Sequence, residues 1–135
     1  MSAIRFTHVD HCSVIVTNVE KARAFYTGVL GLKEIAKPRT FDFVVLWYEL
    51  SDGQTVHLLH KPEPDSRSPR HFALRVNDVT AAREHFRRHG VPIEETVPIP
   101  HCDRFFVHDP DGNRIEIIHW HQPYNPRESG AARLD

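Results

Sequence analysis

The chain lacks the features that mark secreted, membrane and nucleic-acid-binding proteins. Only two of its 135 residues are cysteines, Cys12 and Cys102. Two cysteines make no disulfide framework, so a reduced, cytoplasmic setting is expected. Each follows a histidine, and a small half-buried strand residue is the expected role of both. The formal net charge is -1, which leaves no electrostatic footprint for nucleic acid. No apolar run approaches the ~18 residues of a membrane span, so no membrane partner is expected. The first ten residues, MSAIRFTHVD, lack the apolar core of a signal peptide. With 40% hydrophobic and 26% charged residues, the composition is that of a globular protein. The length favours a single domain spanning 1–135. A chain of this size buries roughly two thirds of its unfolded surface, so no metal is needed merely to fold. Histidines are many for this length, at eleven.

What is present is a repeat. Asp52 to His60 reads DGQTVHLLH, and Asp111 to His119 reads DGNRIEIIH, at an offset of 59. Val56 matches Ile115, and Leu58 and Leu59 match Ile117 and Ile118. The position that changes chemistry sets His57 against Glu116. Upstream, His11 to Arg23 reads HCSVIVTNVEKAR and His71 to Arg83 reads HFALRVNDVTAAR, at an offset of 60. The shared order of landmarks predicts two modules, about 6–60 and 70–119. A Pro- and charge-rich linker, 61–69, separates them, and a loose tail, 122–135, follows.

Each module reads as strand, helix, then three strands. Cys12, Val14 and Val16 alternate with their neighbours at the strand period of two. Thr17 and Glu20 form a capping-box pattern before a helical stripe of Val19, Ala22, Tyr26 and Val29. In the second copy Asn77 or Asp78 caps, Val79, Ala82 and Phe86 form the stripe, and Gly90 with Pro92 ends the helix. Asp52-Gly53 and Asp111-Gly112 each sit between β-rich runs and predict hairpins.

Strand parity then sorts the polar residues. His57 points to one face of its strand, while Val56, Leu58 and His60 point to the other. Glu116 shares the phase of His57, and His11 and His71 share a phase at the start of each module. Three imidazoles and a carboxylate suit a divalent first-row metal. Glutamate is almost never buried without a partner, so Glu116 between two isoleucines asks for one. By the same parity His60 and His119 are not expected to be ligands. Ser13 shares the face of His11, and Arg104 is placed to meet an anionic substrate. Phe41, Phe43, Trp47, Phe105 and Phe106 either wall an apolar pocket or fill the core.

The segment HVDHCSVIVTNVEKARAFYTGVLGL, the strand from His71, and FFVHDPDGNRIEII resemble the vicinal oxygen chelate superfamily. This is the glyoxalase, bleomycin resistance protein and dioxygenase group. The resemblance implies an α+β fold of two tandem βαβββ modules around a metal-containing cleft. It implies ligands at His11, His57, His71 and Glu116, with one divalent ion (Fe, Ni, Co, Zn or Mn) per site. It implies a small-molecule substrate with vicinal oxygens, a homodimer, and either a lyase/isomerase or a ring-cleaving dioxygenase. Glu116 and His57 would then be the catalytic acid/base candidates. Where a glyoxalase-I-like enzyme carries Glu or Gln at the second base position, this chain carries His57. Drug-sequestering members of the bleomycin-resistance type bind small molecules without a metal, which is the alternative function.

Overall fold

The computed structural model describes residues 3–129, so residues 130–135 of the expected tail lie outside the described part. Two compact units are present. The first comprises residues 1–68 with Asp109–Asn113, and the second Pro69–His108 with Arg114–Asp135.

In the first unit, β1 (His11–Val16) leads into α1 (Val19–Arg23), followed by β2 (Lys33–Ile35), β3 (Val44–Glu49) and β4 (Thr55–His60). The sheet order is β1-β4-β3-β2, with β1 parallel to β4 and the other pairs antiparallel. The second unit repeats this with β5 (His71–Arg75), α2 (Val79–Arg88), β6 (Glu94–Glu95), β7 (Cys102–His108) and β8 (Arg114–Trp120), in the order β5-β8-β7-β6. This is the tandem βαβββ, α+β architecture that the repeat predicts. Both hairpin glycines take positive φ, Gly53 at 88° and Gly112 at 85°, where a Cβ is disfavoured.

The first helix begins one residue later than expected. Asn18, not Thr17, is its cap and accepts from Lys21 N. The reason is that Thr17 is already engaged. Its hydroxyl donates to Asp111 Oδ1 at 2.6 Å and its N–H to Asp111 Oδ2 at 3.0 Å. The helix also widens after Arg23 into π-type turns over Ala24–Val29. The wider turn sends both Phe25 and Tyr26 inward, so the buried stripe is Ala22, Phe25 and Tyr26 rather than one ending at Val29. In the second unit Asp78 caps α2 by accepting from Ala81 N, and Gly90 at φ 69° follows its end.

Each sheet has a helix-covered face and a second face. In the first unit Tyr48 pairs with Val56 and Leu46 with Leu58, all buried, and Tyr26 stacks on Tyr48. In the second, Phe105 pairs with Ile117 and Val107 with Ile115, and Phe86 of α2 meets Phe105 edge-on. The alternate positions, Trp47 opposite His57 and Phe106 opposite Glu116, occupy the other faces. Pro126–Ser129, inside the expected tail, forms a helical turn, α3. Its Glu128 lies 3.0 Å from His101 Nε2.

Candidate metal centre

In the second unit, the parallel register of β5 and β8 sets Ala73 beside Glu116 and His71 beside Arg114. Glu116 is 6% exposed, so its charge has little water to face. Its Oε1 lies 3.0 Å from His71 Nε2, and its Oε2 lies 3.4 Å from Arg104 Nη1. Arg104 Nη2 also donates to Val97 O at 2.9 Å, while its buried Nε has no partner. Arg104, the candidate contact for an anionic substrate, thus faces the Glu116 carboxylate of its own unit. Arg114 lies over the face of Phe106, 3.5 Å from its centroid, and His71 meets the same ring edge-on.

The protons on His71 follow from its partners. Nδ1 is 2.9 Å from Pro69 O, which only accepts, so Nδ1 is the donor. Nε2 of a neutral ring and a carboxylate oxygen are both acceptors. Their 3.0 Å approach therefore calls for a proton or a cation between them. An imidazole nitrogen and a carboxylate oxygen are both donors that a divalent first-row ion takes. Backbone anchoring of the far nitrogen is also the usual support of a metal-ligating histidine. The pair fits a divalent ion.

The first unit places the matching residues differently. His11 Nδ1 lies 2.8 Å from Asp10 Oδ2, a contact that holds the Asp10 carboxyl below its ordinary value. His57, 7% exposed, is sandwiched between two rings. Trp47 stacks on it at 3.4 Å between centroids and His11 at 4.2 Å, with interplanar angles of 27° and 20°. Its Nε2 is 2.7 Å from Thr55 Oγ1. Burial, and then His11, push its pKa below the ordinary histidine value. Ser13, exposed, is the β1 neighbour of His57. The four expected ligands are thus seen as two pairs, each within one unit. Among the described residues, no three or more His, Cys, Asp or Glu side chains form a group that could hold a metal.

A model of the Glyoxalase/Bleomycin resistance protein/Dioxygenase superfamily matches residues 8–117. The chain belongs to this superfamily. Lactoylglutathione lyase of Neisseria meningitidis is 30% identical over 120 residues, covering 80% of this chain and 87% of that enzyme. A putative glyoxalase family protein from Bacillus anthracis matches in structure with a TM-score of 0.80 at 26% identity, covering 88% and 99% of the two chains. TnmS3, an antibiotic binding protein from Streptomyces sp. CB03234, matches with a TM-score of 0.70 at 26% identity, covering 87% and 99%.

The other repeated residues of this superfamily member have structural partners. His60 Nε2 lies 3.2 Å from Thr17 O, and His119 Nδ1 lies 3.0 Å from Val76 O. Each ties the end of the last strand of its module to the chain leaving the first. The repeated arginines join the helix to the second strand. Arg23 donates to Glu34, and Arg83 to Glu95 and Asp103. Cys12 is a half-buried thiol whose pKa burial pushes up to about 11, so it stays protonated at neutral pH.

One polar network has no counterpart in the sequence-based expectations. Tyr26 Oη donates to Asp109 Oδ2 at 2.8 Å. Asp109 also accepts from Asp111 N, Asn113 N and Asn113 Nδ2. Asn113 Nδ2 in turn reaches Ile15 O at 2.8 Å. The available signal was Tyr26 itself, where the second copy has Phe86. A hydroxyl added to a core ring needs an acceptor.

Proposed function

We propose that this protein is a divalent-metal-dependent enzyme of the glyoxalase/dioxygenase type, acting on a small substrate with vicinal oxygens. The observation that carries it is the buried Glu116 carboxylate facing His71 Nε2 at 3.0 Å, a contact that needs a proton or a cation. His71 and Glu116 are the core of the ligand set, and His11 is the candidate donor of the first unit. Asp10 and Pro69 O hold the far nitrogens of the two imidazoles. The stack around His57 supports a different role for that residue. A metal binds an imidazole nitrogen in the plane of the ring, and near-parallel rings send their lone pairs side by side. His57, whose pKa burial lowers, is then a proton-acceptor candidate rather than a ligand.

The ion would supply Lewis acidity to two adjacent substrate oxygens. His71 faces Oε1 of Glu116 and Arg104 faces Oε2, so the carboxylate is held on both sides. In an isomerase or lyase, the Glu116 carboxylate would take the proton from the carbon beside a carbonyl and return it to the neighbouring atom. The lyase from Neisseria meningitidis is the relative that favours this reaction. The functional unit is a homodimer in the cytoplasm. Elemental analysis of protein purified without chelator is the test. At least about one metal ion per two chains is expected, falling sharply in Glu116→Ala. Less metal than that, with Glu116→Ala unchanged, overturns the proposal.

A second function, metal-free small-molecule binding, is favoured by the likeness to the antibiotic binding protein TnmS3. Ligand binding of full strength in EDTA, without turnover, supports it over the enzyme.

A further inference from the structure

The stack around His57 does not end at Trp47. Phe41 lies 6.4 Å from Trp47 between centroids at 25°, and Phe43 lies 5.2 Å from Phe41 at 29°. His11, His57, Trp47, Phe41 and Phe43 therefore form a ladder of five rings in the first unit, each neighbouring pair tilted by 20–29°. Exposure is lowest at His57 and rises toward both ends, His11 and Phe43. His57 is 7% exposed and Phe43 59%. A phenylalanine that exposed contributes little to a core, and Phe41 and Trp47 are only half-buried.

We propose that this ladder is a stacking platform for a planar aromatic ligand, and that Phe41 and Phe43 determine specificity for it. The geometry commits to an occupant. Near-parallel rings offer their faces, and a flat conjugated ring is the shape that continues such a stack. One end of the ladder is His57 and His11, two of the imidazoles that the proposed function invokes. The occupant is therefore the small molecule handled there, not a protein partner. Among the described residues, the second unit carries no such platform. Phe106 is 2% exposed and its face is covered by Arg114. The inference rests on the proposed function only for the ligand's vicinal oxygens; stacking itself needs no metal.

The test uses the full chain and two probes, 2,3-dihydroxynaphthalene as a flat aromatic diol and butane-2,3-diol as an aliphatic one. Binding is measured by calorimetry with and without EDTA, for wild type, Phe41→Ala/Phe43→Ala and Phe43→Leu. Wild type should bind the aromatic probe in both conditions. The double alanine variant should weaken it roughly ten-fold or more, leaving the aliphatic probe and the melting temperature unchanged. Phe43→Leu should also weaken it, because leucine keeps apolar area but not a ring face. Equal aromatic binding by all three proteins overturns the platform. So does full retention by Phe43→Leu, which would make the strip merely apolar. So does a loss of dimer in the alanine variant without a change in probe binding, which would assign the strip to a second copy. Aromatic binding that is intact in metal-free protein, with no metal found in any preparation, keeps the platform and removes the metal enzyme.

Discussion

The two units share one topology and fill the matching face with opposite chemistry. In the first, the residue paired across from the last strand is Trp47, and it stacks on a neutral His57. In the second, the same place is Phe106 beside Glu116, with His71, Arg104 and Arg114 around them. One half presents rings and the other holds charge. The strand order and the hairpin turns are the same in both. Duplication thus preserved the backbone hydrogen bonding, while a few side chains on one face diverged.

The largest expected effect comes from the charged half. Glu116→Gln keeps the shape and removes the carboxylate, and should lower activity roughly 100- to 10,000-fold, read as kcat/KM. If ring stacking alone sustained function, the loss would be small. Next comes the polar network of the first half. Tyr26→Phe makes that position match Phe86 and should cost about 1–3 kcal/mol in denaturant melts, because a buried carboxylate loses a donor. Unchanged stability would erase this difference between the halves.

Asp109 sharpens the same contrast through pH. Burial raises its pKa above the ordinary carboxylate value, although its hydrogen bonds pull the other way. The folded state then holds the proton more tightly than the unfolded chain. The stabilising contribution is full below the unfolded pKa and is lost as pH rises through the folded one. The stability gap between wild type and Asp109→Asn should therefore narrow with rising pH across that window. A gap that widens contradicts the assignment. Smallest are the repeated fittings. His60→Ala and His119→Ala should each cost about 0.5–1.5 kcal/mol and leave metal content unchanged. Asymmetric losses would show that the repeat is not mechanically equivalent.

Much of this was legible in the sequence because the repeat exposes equivalent positions. The βαβββ order followed from hairpin glycines and strand periods. Parity put His57 and Glu116 on one face and their flanking Val56 and Ile115 on the other. What a pattern does not carry is competition among local partners. Thr17 matched a capping signal, but Asp111, far along the chain, took its hydroxyl. Arg104 looked like a substrate contact, yet the β7–β8 register and Val97 O aim it at Glu116. His57 had the chemistry of a ligand, and only the ring geometry shows it held in a stack. Such outcomes depend on distances of a few ångströms between residues remote in sequence.

The central claim is that the second unit's charged pair anchors a metal while the first unit's stacked imidazole does not. The direct measurement is metal content, by elemental analysis, of Glu116→Ala beside His57→Phe. Phenylalanine keeps a ring in the stack and removes both nitrogens. The account predicts that Glu116→Ala loses the ion and His57→Phe retains it. Metal retained by Glu116→Ala, or lost from a folded His57→Phe, would contradict it.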